Sequence, residues 1–154
     1  MLDVLALAGI AEGSPLCTVL EPRAPVFELT ARAHAAVVAP GEPGGLSHAL
    51  RAGLAARMAR LCGDEKTAAL LQGAEPHEAA DPAFDGGSDA RATAILRHVD
   101  LLTVRPRDAT RGDVQVLVAA GLDEADIVRL AELVSFMAYL LRLVAGLRAL
   151  EEGR

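Results

Sequence analysis

The chain has 154 residues, enough for one domain that buries roughly two-thirds of its unfolded surface without staples. Hydrophobic residues make up 52% but aromatics only 3%, with no Trp, so the core must come from Ala, Leu and Val, which favour close-packed helices. A net charge of −6 leaves no basic footprint for a phosphate backbone, and the scarcity of aromatics removes stacking platforms; nucleic acid is excluded as an expected partner.

The periodicity is helical almost everywhere. A short helix is expected over Leu2 to Ala11, broken by Gly13-Ser14-Pro15. Pro22 and Pro25 lead into a helix from about Val26 to Val38, and Pro40-Gly41-Glu42-Pro43-Gly44-Gly45 is a turn by composition. Ser47 offers an N-cap, after which Leu50, Leu54, Met58 and Leu61 recur at three- and four-residue spacing. Gly63 closes that helix, and Asp64 caps a short successor through Leu71.

Between Gly73 and Ala90 the character changes. Glu75, Glu78, Asp81, Asp85 and Asp89 occur there without a Lys or Arg, and Pro76, Pro82 and Gly86-Gly87 break periodicity. These five acids carry nearly all of the net charge, and residues 73–90 read as a flexible, solvated connection. A helix follows over Arg91 to Leu102, stopping near Arg105-Pro106. Thr110 with Asp113 gives a capping signal for a helix ending at Gly121.

Asp123 caps the last and longest helix, running to about Leu150. It carries one apolar stripe of Ile127, Leu130, Val134, Met137, Leu141 and Val144, and a second of Phe136, Tyr139, Leu140, Leu143 and Leu147. Two stripes require either a central helix or a subunit interface, and the latter is favoured here. The least charged stretch, Leu133 to Leu147, is shorter than the ~20 residues of a membrane span and contains Arg142, so no membrane association is expected. The N-terminus lacks the basic region of a signal peptide, and Cys17 and Cys62 form neither a disulfide framework nor a zinc spacing; a reducing cytoplasm is the expected compartment. Gly45-Leu46-Ser47-His48-Ala49 echoes Gly121-Leu122-Asp123-Glu124-Ala125, either as a helical repeat or as two ordinary helix starts.

Three C-terminal segments carry a family resemblance: Leu101-Leu102-Thr103-Val104-Arg105-Pro106, Thr110-Arg111-Gly112-Asp113-Val114-Gln115, and Ala120-Gly121-Leu122-Asp123-Glu124-Ala125-Asp126-Ile127-Val128. With the ending from Phe136 through Arg142 to Arg148, and Gly44-Gly45-Leu46-Ser47 before an Ala-rich helix, they resemble the carboxymuconolactone decarboxylase and alkylhydroperoxidase-D-like superfamily, in its peroxidase-related branch. The resemblance spans roughly Leu29 to Leu150. It implies an all-α helical bundle that forms homo-oligomers, sometimes beside a relative bearing a C-x-x-C pair. Redox members of that superfamily use the C-x-x-C pair with a following His and an upstream Glu.

Here the corresponding stretch is Leu61-Cys62-Gly63-Asp64-Glu65-Lys66. In one register Glu65 replaces the second Cys; in the other, Ala59 replaces the first. Ala68 and Ala69 stand nearby instead of a His, and upstream lie His48 and Arg51 but no Glu. The dithiol chemistry, which needs one thiolate to attack and another to resolve, has lost its second thiol. Cys62 remains a candidate thiol for a one-cysteine peroxidase, but its place in a helix's last turn raises a thiol pKa, and a half-buried packing role is the expectation.

Arg142, set in an apolar helix, is expected to be buried and to seek a carboxylate or backbone partner, in an ion pair across an oligomer interface or in a ligand. Tyr139 is placed to hydrogen-bond into the same pocket, and His48 and Arg51 complete the ligand-pocket candidates. His98, near Asp100, reads as a solvated or capping histidine, and His34 and His77 have no discernible partner. No metal-ligand cluster and no cofactor is indicated. The expectation is a non-redox scaffold, or the partner of a redox-active relative; a Cys62 peroxidase, a lactone decarboxylase-like lyase and a small-ligand binder are the alternatives.

Overall fold

The computed structural model describes residues 2–73 and 76–153, which fold into helices without a strand. Met1, Ala74, Glu75 and Arg154 lie outside the described residues, including one acid of the Gly73–Ala90 segment and both ends of the expected domain. In chain order the helices are α1 (Val4–Ala8), α2 (Pro15–Leu20), α3 (Ala24–Val38), α4 (His48–Leu61), α5 (Glu65–Leu71), α6 (Ala90–Val104), α7 (Arg111–Ala119) and α8 (Glu124–Glu152). Short 3-10 turns occupy Glu21–Arg23, Glu78–Ala80 and Pro106–Asp108.

The helix starts follow from their caps. The Ser47 hydroxyl accepts from the Leu50 N–H, the Asp64 carboxylate from Thr67, and the Asp123 carboxylate from Asp126 at 2.7 Å. At α7 the Asp113 carboxylate reaches back to the Thr110 N–H and hydroxyl, both at 2.8 Å. Each such contact satisfies a donor that a helix terminus would otherwise leave open. The end of α4 is as regular: Gly63 takes a φ of 78°, its N–H donates to Arg60, and the Asp64 N–H donates to Ala59. That left-handed turn lets α5 fold back directly on α4. The first helix is shorter than expected, because Gly9 rather than Gly13 ends it.

Helix α8 contacts α1, α3, α4, α6 and α7, and α4 contacts α3, α5, α6 and α8. One connected cluster of buried apolar residues runs from Val4 to Leu147. Along α8, Leu130, Leu133, Val134, Met137, Leu140, Leu141, Val144 and Leu147 are all buried in it. Both apolar stripes are therefore largely covered inside a single chain, and the burial pattern that favoured a subunit interface is accounted for by a central helix. By length and composition alone α8 could cross a membrane, which the shorter Leu133–Leu147 window concealed; in this structure it is the spine of the core.

The repeated Gly-Leu-(Ser/Asp) sequence corresponds to two helix starts of one construction. Leu46 and Leu122 are both buried immediately before the N-caps Ser47 and Asp123. The two starts are joined through Asp126, which is 4% exposed and accepts from the Gly45 N–H, Arg91 and Arg129 at 2.9–3.0 Å. A Cβ on Gly44 or Gly45 would collide with the side chains of Arg129 or Asp126, so close approach to this buried carboxylate explains both glycines.

In the acidic segment the described acids Glu78, Asp81, Asp85 and Asp89 are exposed, as a solvated connection requires. Ala79 and Ala80 are buried, and its backbone carbonyls are held by arginines from α4. These backbone anchors, twenty to twenty-seven residues away in sequence, are a feature that the segment's composition does not announce.

Candidate functional site

Helix α4 positions most of the residues with chemical potential. It is rich in Ala, with Gly53 at its centre, and residues 53–59 are buried. Nothing on it is large and polar except its arginines and His48, so neighbouring elements close around it and the arginines are enclosed with it.

Arg51 is 1% exposed and donates through Nε to the Leu46 carbonyl, through Nη1 to Val37 and through Nη2 to Pro43, at 2.8–2.9 Å. Burial lowers its pKa and Arg129 adds to that effect, while Asp126 and Glu132 oppose it. A guanidinium so enclosed fastens the proline–glycine turn; it is not free to meet a ligand. His48 is exposed and its Nε2 lies 2.8 Å from the Pro40 carbonyl, on the same turn.

Tyr139 faces α3. Its hydroxyl is 3.0 Å from Thr30 Oγ1, and its ring packs at 6.0 Å from Phe136, which in turn meets His34 at 6.1 Å. Tyr139 is therefore not in the pocket that Arg142 borders. The four expected ligand-pocket residues do not converge: His48 and Arg51 hold a turn, Tyr139 joins a seam, and Arg142 alone borders a cavity.

That cavity, of about 210 Å³, is bounded by Met58 and Cys62 of α4, Thr103 of α6, and Ala138, Leu141, Arg142 and Ala145 of α8. Arg142 is exposed rather than buried, and its one hydrogen bond runs to the Ala138 carbonyl at 2.7 Å. Cys62, expected to be half-buried, is exposed at the C-cap of α4. The surrounding protein still desolvates the sulfur enough to push its pKa up; Arg142 opposes this and Asp64 reinforces it. Cys17, half-buried against the core from α2, is also a free thiol.

A second, larger cleft of about 570 Å³ lies between α6 and the acidic segment, where sequence reasoning placed no site. Its floor is the ion pair of Arg57 and Asp100, with contacts of 2.5 and 2.7 Å. Arg57 is 2% exposed and also donates to the carbonyls of Asp81, Phe84 and Pro82 at 2.6–3.2 Å. Asp100 thus serves Arg57 and not His98. His98 is half-buried at the α6–α7 contact with Nδ1 unpartnered; burial lowers its pKa and Asp113 opposes that. No local sequence signal announces the Arg57 cage, because its partners lie 24 to 43 residues further along the chain.

No protein-family model, curated protein or solved structure matches the chain.

Proposed function

We propose that this chain is a non-redox member of the carboxymuconolactone decarboxylase and alkylhydroperoxidase-like superfamily, acting in the cytoplasm as an oligomeric scaffold or as the partner of a redox-active relative. The observation that carries this reading is the isolation of Cys62. Around its cavity stand Met58, Thr103, Ala138, Leu141, Arg142 and Ala145, which supply no second thiol, no imidazole and no carboxylate; the Met58 sulfur is a thioether and cannot resolve a sulfenic acid. A thiol whose pKa is raised presents little thiolate at neutral pH, and the thiolate is the nucleophile. Asp64, the nearest acid that influences it, is engaged by Arg148 at 2.6 Å and by Thr67. A scaffold role draws support from exposed apolar side chains on two neighbouring helices, Val26 and Leu29 on α3 and Tyr139 on α8.

The test is peroxide consumption by purified protein with a thiol reductant, comparing the native chain with Cys62→Ser, alongside light scattering for the assembly state. The expected result is no turnover in either protein and a mass above that of one chain. Turnover abolished by Cys62→Ser would replace the proposal with a one-cysteine peroxidase, and a monomer at all concentrations would remove the oligomeric scaffold.

A further inference from the structure

We propose that the groove between α4, α6 and α8 is a binding site for a small monocarboxylate with an apolar body, whose head is received by Arg142. This site stands independently of the scaffold reading. Its walls are apolar over most of their extent: Met58 is fully buried, Leu141 is 7% exposed, and Ala138 and Ala145 leave the space that larger side chains would fill. At about 210 Å³ it falls below the roughly 300–1,000 Å³ of pockets that take drug-sized molecules, so a short chain or a single ring is the matching size.

The charge at the rim selects the head group. Arg142 carries five N–H donors, and among the described residues the one acceptor it meets is the Ala138 carbonyl. No carboxylate among the described residues pairs with it. Asp64, whose charge is felt at Cys62, is committed to Arg148 and Thr67. An unpaired guanidinium beside an apolar wall is complementary to a planar carboxylate, which it can bind through two parallel N–H donors. The remaining polar wall residue, Thr103, donates its hydroxyl proton to the Val99 carbonyl at 2.7 Å and has none to give a ligand. A head with more charge, such as a phosphate, would find one cation and no further donor. The site therefore fits a singly charged acid.

Cys62 lies in the same wall and reports occupancy without taking part in binding. The experiment is alkylation of the full chain by neutral iodoacetamide, followed by mass spectrometry at Cys62, with Cys17 as the internal reference. Octanoate is the probe, octylammonium its charge-reversed control, and isothermal calorimetry gives the affinity. Octanoate is expected to slow alkylation of Cys62 several-fold and to leave Cys17 unchanged, while octylammonium protects neither. In Arg142→Gln, a change at an exposed position that folding tolerates, octanoate should bind about fivefold to tenfold more weakly, as loss of a charge-assisted hydrogen-bonded pair implies. Ala138→Leu, which fills the groove and keeps the guanidinium, should also abolish protection. Absence of octanoate protection, equal protection by the cation, or undiminished binding in Arg142→Gln would each overturn the assignment.

Discussion

Arg51 and Arg57 lie less than two turns apart on α4, are almost equally enclosed, and fasten different turns by different means. Arg51 closes the proline–glycine turn before α4 with three backbone carbonyls and no carboxylate in contact. Arg57 closes the acidic segment before α6 with carbonyls and with both oxygens of Asp100. The first cage leaves a buried charge balanced by dipoles and by acids at a distance, and burial lowers the arginine's pKa. The second supplies a counter-ion, at the cost of desolvating it partly as well. A buried ion can be accommodated either way; what differs is what remains when one component is removed.

Removal of Arg57 should therefore have the largest effect. Arg57→Ala leaves Asp100 without its partner and frees the carbonyls of Asp81, Pro82 and Phe84, a loss of about 3–5 kcal/mol. Urea denaturation followed by circular dichroism measures it, and limited proteolysis should then cut within the acidic segment first. Arg51→Met comes next, at about 2–3 kcal/mol, because the three carbonyls lose a charged donor but no counter-ion is stranded. Arg51→Lys should recover little of that loss, since an ammonium cannot span acceptors set for a planar fork. Asp100→Asn converts the second cage into the first kind and should cost only about 1–2 kcal/mol. If Asp100→Asn proved as damaging as Arg57→Ala, the carbonyls would contribute nothing at Arg57, and the likeness of the two cages would fail.

The same contrast explains what could be read in advance. Helix boundaries were legible because their causes are local: Ser47, Asp64, Asp123 and the Thr110–Asp113 pair all cap where the sequence places them. The all-helical class followed from periodicity for the same reason. The arginine cages were not legible, because Arg57 meets Asp81, Phe84 and Asp100 at separations set only by tertiary packing. Composition told only half of the acidic segment: its acids and prolines are exposed as read, but nothing local announced that its backbone carbonyls are the acceptors that α4's arginines take. The expected site fared alike. Cys62 and Arg142 were found together, but Tyr139 and His48 were drawn to Thr30 and Pro40, partners that no spacing announces.

The smallest effect concerns protons, and it separates buried cations that are paired from imidazoles that are not. His34 and His98 each keep one ring nitrogen buried without a partner, and desolvation lowers both pKa values from the ordinary 6.5. A histidine whose folded pKa lies below its unfolded value binds fewer protons when folded, so stability is greatest above 6.5 and declines as pH falls through the folded pKa. Asp64 acts in a lower window: burial alone would raise its pKa, but hydrogen bonds from Thr67 and Arg148 outweigh it and hold the carboxyl below the ordinary 3.8. Its contribution is complete above 3.8 and lost only in stronger acid. Melting temperature measured against pH should accordingly fall in two separated steps. His98→Gln with His34→Gln should flatten the upper step and leave the lower one in place, whereas Arg148→Ala should weaken the lower step alone. A single acid transition unaffected by the histidine changes would mean that both imidazoles gain partners or solvent in the folded protein, and that the distinction between caged arginines and orphaned histidines does not hold.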